Sequence, residues 1–520
     1  MAVPVTNLPP LLGISPYFTW LLFMIGLTLL AVLSYALYNL LLHPLRTVPG
    51  PKLWAATQIP YTLAWLSGRL HFVIHDLHEH YGDVVRVAPN RLSFTHPDAW
   101  RDVRGHRKNG QGEHAKDAVF YAVSKHNMIG AAREDHARFR RILSHGFSAK
   151  SMQAQQPLIM RYVDLLMQRL RERTHAGDGS RAHEAGMVVD LAAWFNFTTF
   201  DVIGNLAFGE PFGCLEESRY HPWVYTILQG VEQFGMYVVL QWYLPRMLDI
   251  IKALFPRRYI GVHLDTLRDH AHERVQRRLS LGASRPDFVE AMATAKDDEG
   301  RMLTMEEMAS HARLLVVAGS ETTATTLSGA AFFLATHPDV QKRLAEEVRT
   351  SFTSEGEIDL FSVNRLSYML AVLDEAMRMF PPVPSQLPRT CQPGGAMICG
   401  YHVPGGTGLE IWPWAMNHSS RNFTEPNKFI PERWLSEDEY QGQRFDKARH
   451  SALQPFSVGP RNCIGKNLAY VEMRLILARL VYNYDLVLAD HLSEQFLERK
   501  AFNLWMKGPL NVQLIPVKQE

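Results

Sequence analysis

The sequence predicts a mainly α-helical body with a small β subdomain, preceded by one membrane-spanning helix. Three observations carry this reading. Residues 17–42 form a single apolar run, interrupted only by weakly polar residues such as Thr19, Thr28, Ser34 and Asn39. Two β-rich patches lie far apart, at 83–95 and 397–411, and most of the chain between them has apolar residues at helical spacing. With 520 residues, 47% of them hydrophobic, the chain can bury a large core. A net charge of +2 gives no reason to expect nucleic acid as a partner. Cys214, Cys391, Cys399 and Cys463 have no regular spacing, which argues against a disulfide framework and for a reducing compartment.

At ~1.5 Å per residue a helix over 17–42 outreaches a ~30 Å hydrocarbon core, so it spans with some tilt. No Asp, Glu, Lys or Arg precedes Arg46, and Arg46, Lys52 and Arg69 all come before the first acid, Asp76. That asymmetry predicts a short luminal segment at 1–16, the anchor at 17–42 and a cytoplasmic domain over 43–520. A cleaved signal peptide competes, but it would have a cationic start and a shorter apolar core. Val48-Pro49-Gly50-Pro51 reads as a stiff hinge between anchor and domain.

Residues 83–88 and 91–95 flank Pro89-Asn90 and read as a hairpin. Residues 135–141 sit on a predicted helix, where His136 and Arg140, four apart, share a face that Arg133 joins. Arg138 and Arg141 mark either a solvated basic face or a surface for an acidic redox partner. Thr304-Met305-Glu306-Glu307 is a capping box opening a long helix that runs to His337-Pro338. Inside it, Ala318-Gly319-Ser320-Glu321-Thr322-Thr323 places an acid and hydroxyls in an apolar helix, which is costly unless they are used. Thr322 can bond back one turn and open a groove for a small ligand, although satisfied core hydroxyls remain the plain alternative.

Pro338 starts the next helix at its first position. A helix over 367–380 carries Glu375 and Arg378, a pair worth only ~0.2–0.5 kcal/mol if exposed. Pro381-Pro382-Val383-Pro384 ends it, and Leu387-Pro388-Arg389 follows in extended form. Finally, Phe456-Ser457-Val458-Gly459-Pro460-Arg461-Asn462-Cys463-Ile464-Gly465 sets one cysteine in a Gly/Pro turn before a helical pattern of Leu468, Val471, Leu475 and Leu480. Glycines there let backbone wrap around the sulfur and aim N–H groups at it, which suits a thiolate ligand of heme iron. The alternative is a buried structural cysteine; zinc fits poorly, because no second Cys or His lies at ligand spacing.

This Phe-x-x-Gly-x-Arg-x-Cys-x-Gly stretch resembles the signature of the cytochrome P450 heme-thiolate monooxygenases, with all five fixed positions filled. The resemblance implies the cytochrome P450 fold and heme b as cofactor, with Cys463 as axial ligand, Phe456 shielding the sulfur, and Gly459 and Gly465 shaping the turn. It implies heme-propionate partners at Arg461, Arg389 and Arg140, with His136 standing where the family has a Trp. It further implies that Glu321 and Thr322 organise protons and water, and that Glu375, Arg378 and Arg433 of Pro431-Glu432-Arg433-Trp434 form a buried structural network. The 105–130 loop, the 387–389 segment and the Phe502 region would line a pocket for an apolar small-molecule substrate. His43-Pro44-Leu45 and Pro49-Gly50-Pro51-Lys52-Leu53-Trp54 are most similar to membrane-bound fungal enzymes of secondary metabolism, near the trichothecene hydroxylases.

The implied activity inserts one atom of O2 into the substrate at an endoplasmic-reticulum membrane. Electrons would come from NADPH-cytochrome P450 reductase, with cytochrome b5 as a second candidate donor, since no Gly-rich nucleotide fingerprint follows a strand here. Two alternatives differ in kind: a heme-thiolate isomerase or dehydratase needing no oxygen, and a non-enzymatic heme sensor. The intact acid–alcohol pair argues against the first, and NADPH consumption coupled to product separates both from a monooxygenase.

Overall fold

The computed structural model describes residues 16–107, 112–124, 126–175, 186–245, 262–282, 287–297, 299–436 and 447–517. The expected luminal segment at 1–16 therefore lies, but for Pro16, outside the described residues. The helices include α1 (Pro16–Leu41), α2 (Lys52–Ala56), α3 (Ile59–Leu66), α4 (Leu70–Tyr81), α5 (Arg133–Ser144), α6 (Ala149–His175) and α7 (Leu191–Phe208). They continue with α8 (Pro222–Tyr243), α9 (Val262–Ser280), α10 (Met305–Thr336), α11 (Pro338–Ser351), α12 (Ser367–Met379) and α13 (Lys466–Asn483).

The β structure comes from distant segments, as expected, and among the described residues makes three small sheets. β1 (Val84–Ala88) and β2 (Arg91–Phe94) form the predicted hairpin, with a register shift between Arg86 and Ala88. β3 (Ala115–Lys116), β5 (Arg389–Thr390) and β8 (Gly408–Ile411) complete a five-stranded sheet of order β1-β2-β8-β5-β3. The 397–411 patch divides: β6 (Ala396–Ile398) and β7 (Tyr401–Val403) pair with each other, while β8 runs parallel to β2. A third sheet, β4 (Met187–Asp190)–β10 (Asn511–Pro516)–β9 (Tyr484–Leu488), has no counterpart in the sequence expectations.

The core is built on α7 and α10. α7 is apolar all round, and nearly every residue in it is buried, as such a helix requires. Asp190 caps its start by accepting from the Ala193 N–H, and Gly209 closes its end in the left-handed region. α10 begins at the predicted capping box, with Thr304 and Glu307 bonded reciprocally. Gly319 is where the two helices meet most closely, since a Cβ there would lie 2.8 Å from Ile203 Cδ1.

α1 is exposed along its apolar length and is long and apolar enough to cross a membrane. Its last turn carries one exception. Asn39 is buried; its Nδ2 donates to Ala56 O at 3.0 Å, and its carbonyl accepts from Arg86 Nη1 at 2.9 Å. Beyond it, Leu45 is buried in a core cluster that Val48 packs against, and Pro49 O accepts from the Arg86 N–H at 2.7 Å. A Cβ on Gly50 would stand 2.5 Å from Arg86 O. The stretch read as a hinge is thus packed against the sheet, because buried Arg86 gathers the carbonyls of Asn39 and Pro89 around its guanidinium.

Candidate active site

The Cys463 turn is shaped by backbone contacts. The Cys463 N–H donates to Phe456 O at 2.9 Å, and the Asn462 N–H donates to Gly459 O at 3.1 Å. Gly459 has φ +78°, and a Cβ there would fall 1.9 Å from Arg104 O, so this position demands glycine. Gly465 is different: a Cβ would sit 3.9 Å from Cys463 Sγ, an ordinary contact. What Gly465 supplies is its N–H, directed at the sulfur. Cys463 is accessible, yet desolvation pushes its thiol up, opposed by the Gly465 N–H and the charges of Arg140 and Lys466. The sulfur is thus accessible while closely surrounded by protein. The Phe456 ring packs on Tyr470, with centroids 5.1 Å apart, and its carbonyl closes the turn.

Arg140 reaches the same turn: Nη1 donates to Asn462 O at 2.7 Å and Nη2 to Asn462 Oδ1 at 2.6 Å. His136, one turn earlier on α5, is buried, and burial followed by the nearby Arg461 and Arg140 lowers it to about 4. Arg133 is exposed and lines a cleft beside Arg461. Arg138 corrects the expectation of a free basic face, because it pairs with Glu307 at the start of α10. Arg141 stays exposed.

Beside the turn lies a concentration of cations. Arg461 donates through Nε to Glu113 Oε1 at 3.1 Å and through Nη1 to Ala131 O at 2.8 Å. Arg389 is buried on β5, with Nη1 donating to His114 O at 3.2 Å. Arg104 donates to Ser457 Oγ and Leu387 O. Burial, then the charge of Arg389, lowers Arg104 to about 10. Burial and the guanidinium groups of Arg389, Arg461 and Arg104 push the Lys116 amine well below its ordinary value. Arg104 Nε, Arg389 Nε and Tyr121 Oη are buried without a hydrogen-bond partner. Lys116 and Tyr121, with Glu113 and Arg461, line a cleft of about 490 Å³. Orphaned donors among mutually repelling cations fit a group bearing two carboxylates, as heme b does. Among the described residues no cluster of His, Cys, Asp or Glu could hold a separate metal ion. Arg104, Lys116 and Tyr121 went unnoticed in the sequence, where each is an ordinary loop residue.

On α10, Thr322 Oγ1 donates to Ala318 O at 2.7 Å, the predicted back-bond. In a helix otherwise mostly buried along this stretch, Ala318 is exposed and Thr322 half-buried, so one face of its middle is open. Glu321, the residue before Thr322, turns one carboxylate oxygen to the C-terminal segment. It is 3% exposed, with Oε2 3.0 Å from Lys507 Nζ and Oε1 buried without a partner. Lys507 was also missed; the only signal was a lone Lys between Trp505-Met506 and Gly508.

The expected network behind the site is complete. Glu375 accepts from Arg378 Nε and Nη2 at 2.9 and 2.8 Å, Arg433 Nε at 3.2 Å, Trp434 Nε1 at 2.9 Å and the Ile430 N–H at 2.9 Å. Burial alone would raise its pKa, but Arg378 and Arg433 outweigh it and hold the carboxyl below its usual range. The three segments expected around the substrate also converge, and they do so on α8, which the sequence reading left unassigned. Phe120 of the 105–130 loop stacks edge-on with Phe234 of α8 at 5.3 Å. Leu387 joins the same cluster, and Phe502 is so close that a Cβ on Gly235 of α8 would lie 2.4 Å from its ring.

Residues 48–514 match the family model described as cytochrome P450. The trichothecene C-15 hydroxylase of Fusarium sporotrichioides is 44% identical over 492 residues, covering 94% of this chain and 96% of that protein. A cytochrome P450 monooxygenase of Aspergillus oryzae is 42% identical, covering 92% and 93% respectively. The averantin hydroxylase of Dothistroma septosporum is also 42% identical, covering 95% of this chain and 90% of that protein.

Proposed function

The chain belongs to the cytochrome P450 family, and from that premise we propose that Cys463 is the axial thiolate of its heme b and that the residues around it divide the remaining work. The protein is a heme-thiolate monooxygenase related to fungal enzymes of secondary metabolism. Bound heme supplies reductive activation of O2 and the insertion of one oxygen atom into the substrate.

The residues of this chain do the rest. Gly465 N–H donates toward the sulfur, while Arg140 fixes the turn through Asn462, so the ligand is held and its charge stabilised. Arg389 and Arg461, joined by Arg104, Lys116 and Tyr121, take the propionate carboxylates; His136 lies behind them as a neutral neighbour. Thr322, its own proton donated to Ala318 O, presents its oxygen as an acceptor on the open face of α10 and holds a water there. Glu321 resupplies the proton that this water gives up. Phe120, Leu387, Phe234 and Phe502 exclude bulk water from an apolar small-molecule substrate.

Electrons reach a family member from a redox partner, and here we assign that role to NADPH-cytochrome P450 reductase, with cytochrome b5 as a second donor. We assign α1 as a membrane anchor at the endoplasmic reticulum, and the flanking charges support a domain on the cytoplasmic side. The observation that carries the ligand assignment is one accessible thiol in a turn closed by backbone hydrogen bonds, on the segment that carries Arg461 and meets Arg104 at Ser457. Cys463→Ser is expected to abolish the far-red Soret band of the reduced carbon-monoxide complex; retention of that band refutes the ligand. Product formed in step with NADPH consumption separates this reading from an isomerase or a sensor.

A further inference from the structure

We propose that Lys507 is a positioning residue for Glu321: it pins one carboxylate oxygen so that the other is the atom that takes up and gives back a proton. The inference rests on Glu321 acting as the proton-supplying acid. Lys507 lies on the C-terminal segment that carries Phe502 and Trp505, far in sequence from α10, and its side chain is 6% exposed. Lys is almost never buried this deeply unless paired. Its Nζ lies 3.0 Å from Glu321 Oε2 and donates to Asn196 Oδ1 on α7 at 3.1 Å. Asn196 Nδ2 in turn donates to Tyr220 Oη at 3.0 Å, which fixes the amide and hence the direction of the ammonium. Three separate segments therefore converge to hold one charge.

What they leave open is as informative. Glu321 Oε1 is buried without a hydrogen-bond partner, although the opposite oxygen of the same carboxylate is fully engaged. A purely structural ion pair would satisfy both oxygens, or be replaced by apolar residues at no loss of stability. Here the charge is kept, one oxygen is immobilised, and the other lies on the residue next to Thr322. Without Lys507 the buried carboxylate lacks a counter-charge and takes up a proton permanently, so it cannot cycle. With Lys507 the cycle closes: Oε1 accepts a proton from water, passes it toward the water on Thr322, and returns to the carboxylate state.

The test uses the full-length, heme-loaded protein with reductase and compares Lys507→Met, Lys507→Arg, Asn196→Ala and Glu321→Gln. Lys507→Met should lower product formed per NADPH consumed about ten- to a hundredfold, as loss of alignment does, with the spectral Kd for substrate unchanged. Lys507→Arg should restore most of the ratio. Independently of turnover, the infrared spectrum of the reduced carbon-monoxide form should gain a protonated-carboxyl band in Lys507→Met that is missing from Lys507→Met/Glu321→Gln. Asn196→Ala keeps the ion pair but frees the ammonium, and should give a smaller loss in the same direction. If Glu321→Gln loses coupling while Lys507→Met keeps it and shows no new band, the positioning role is wrong. If Glu321→Gln itself keeps coupling, the acid reading of Glu321 fails instead. Should Lys507→Met not retain heme, Asn196→Ala and Lys507→Arg decide: wild-type coupling in Asn196→Ala together with none in Lys507→Arg overturns the proposal.

Discussion

Arg86→Met should release the membrane anchor from the domain without dismantling the domain. Arg86 is 1% exposed, and its Nη1 is committed to Asn39 O at 2.9 Å, while Nε and Nη2 both serve Pro89 O. Only the first of these bonds ties α1 to the sheet. A hydrogen bond from a charged donor is worth roughly 1.5–3 kcal/mol net. Methionine keeps most of the buried stem, and the bonds lost to Pro89 O lie within the β1–β2 hairpin, so only the lost bond to Asn39 O loosens α1. At ~1.4 kcal/mol per decade, the undocked population should rise on the order of 10- to 100-fold. Asn39→Ala removes only the neutral bond from Nδ2 to Ala56 O, worth about 0.5–1.5 kcal/mol, and should raise it less than about tenfold.

Trypsin reads this population directly. Arg46 is exposed but is followed closely by Val48 and Pro49, which are packed on the domain, so cleavage after Arg46 requires the linker to lift. When lifting is fast compared with cleavage, the rate follows the open fraction. Cleavage after Arg46 in detergent-solubilised protein should therefore rank Arg86→Met above Asn39→Ala above wild type, with the carbon-monoxide spectrum intact in all three. Equal rates in all three proteins would show that the linker is a free tether after all.

Other substitutions test the site. Glu375→Gln leaves two buried guanidinium groups without their carboxylate and should cost about 3–5 kcal/mol, measured as earlier loss of the thiolate-ligated spectrum in urea. Because Glu375 is held below its ordinary value of ~4.3, its contribution is present above that pH and is lost on acidification, so the two proteins should converge in acid. Gly459→Ala must strain a φ of +78° and displace Arg104 O, so heme content should fall even where the protein expresses; full heme content would refute the close approach. Thr322→Ala should keep heme and substrate affinity while the ratio of product to hydrogen peroxide falls about tenfold or more. If Thr323→Ala shows that loss instead, the role has been placed one residue early.

What was legible in the sequence is what neighbours in the chain decide. The Cys463 turn, the Thr304–Glu307 capping box, the Pro338 helix start and the Thr322 back-bond each need only residues within about one helical turn. The Glu375–Arg378 pair was visible for the same reason, and Arg433 followed only from the resemblance. What escaped depends on chain crossings. Arg461 meets Glu113 across 348 positions, and Lys507 meets Asn196 across 311. Two-residue strands such as β3 and β5 carry no periodicity to detect, and β4, β9 and β10 are recognisable only once paired. The hinge reading failed similarly: Pro and Gly at 49–51 signal a break in helix, but whether the break is loose depends on Arg86, which lies on a strand.

The cations around the cleft show why the prosthetic group belongs to the fold as well as to the chemistry. Arg104, Lys116 and Arg389 are each lowered by burial and by a neighbouring guanidinium, Arg389 acting on Arg104 and Lys116 and Arg461 on Arg389, so each is a charge held against its preference. Glu113 answers Arg461, and Asp117 is engaged by Arg91 on the far side of the loop. Two carboxylates arriving together would relieve that repulsion and satisfy donors that have no other partner. A ligand that does this binds the folded state alone and stabilises it by mass action. The segments carrying these cations, Arg104 with the loop after it, β5 and the Cys463 turn, are also those we assign to the substrate pocket and the thiolate. Order in all three should therefore depend on the same occupant, which couples retention of the cofactor to the shape of the pocket.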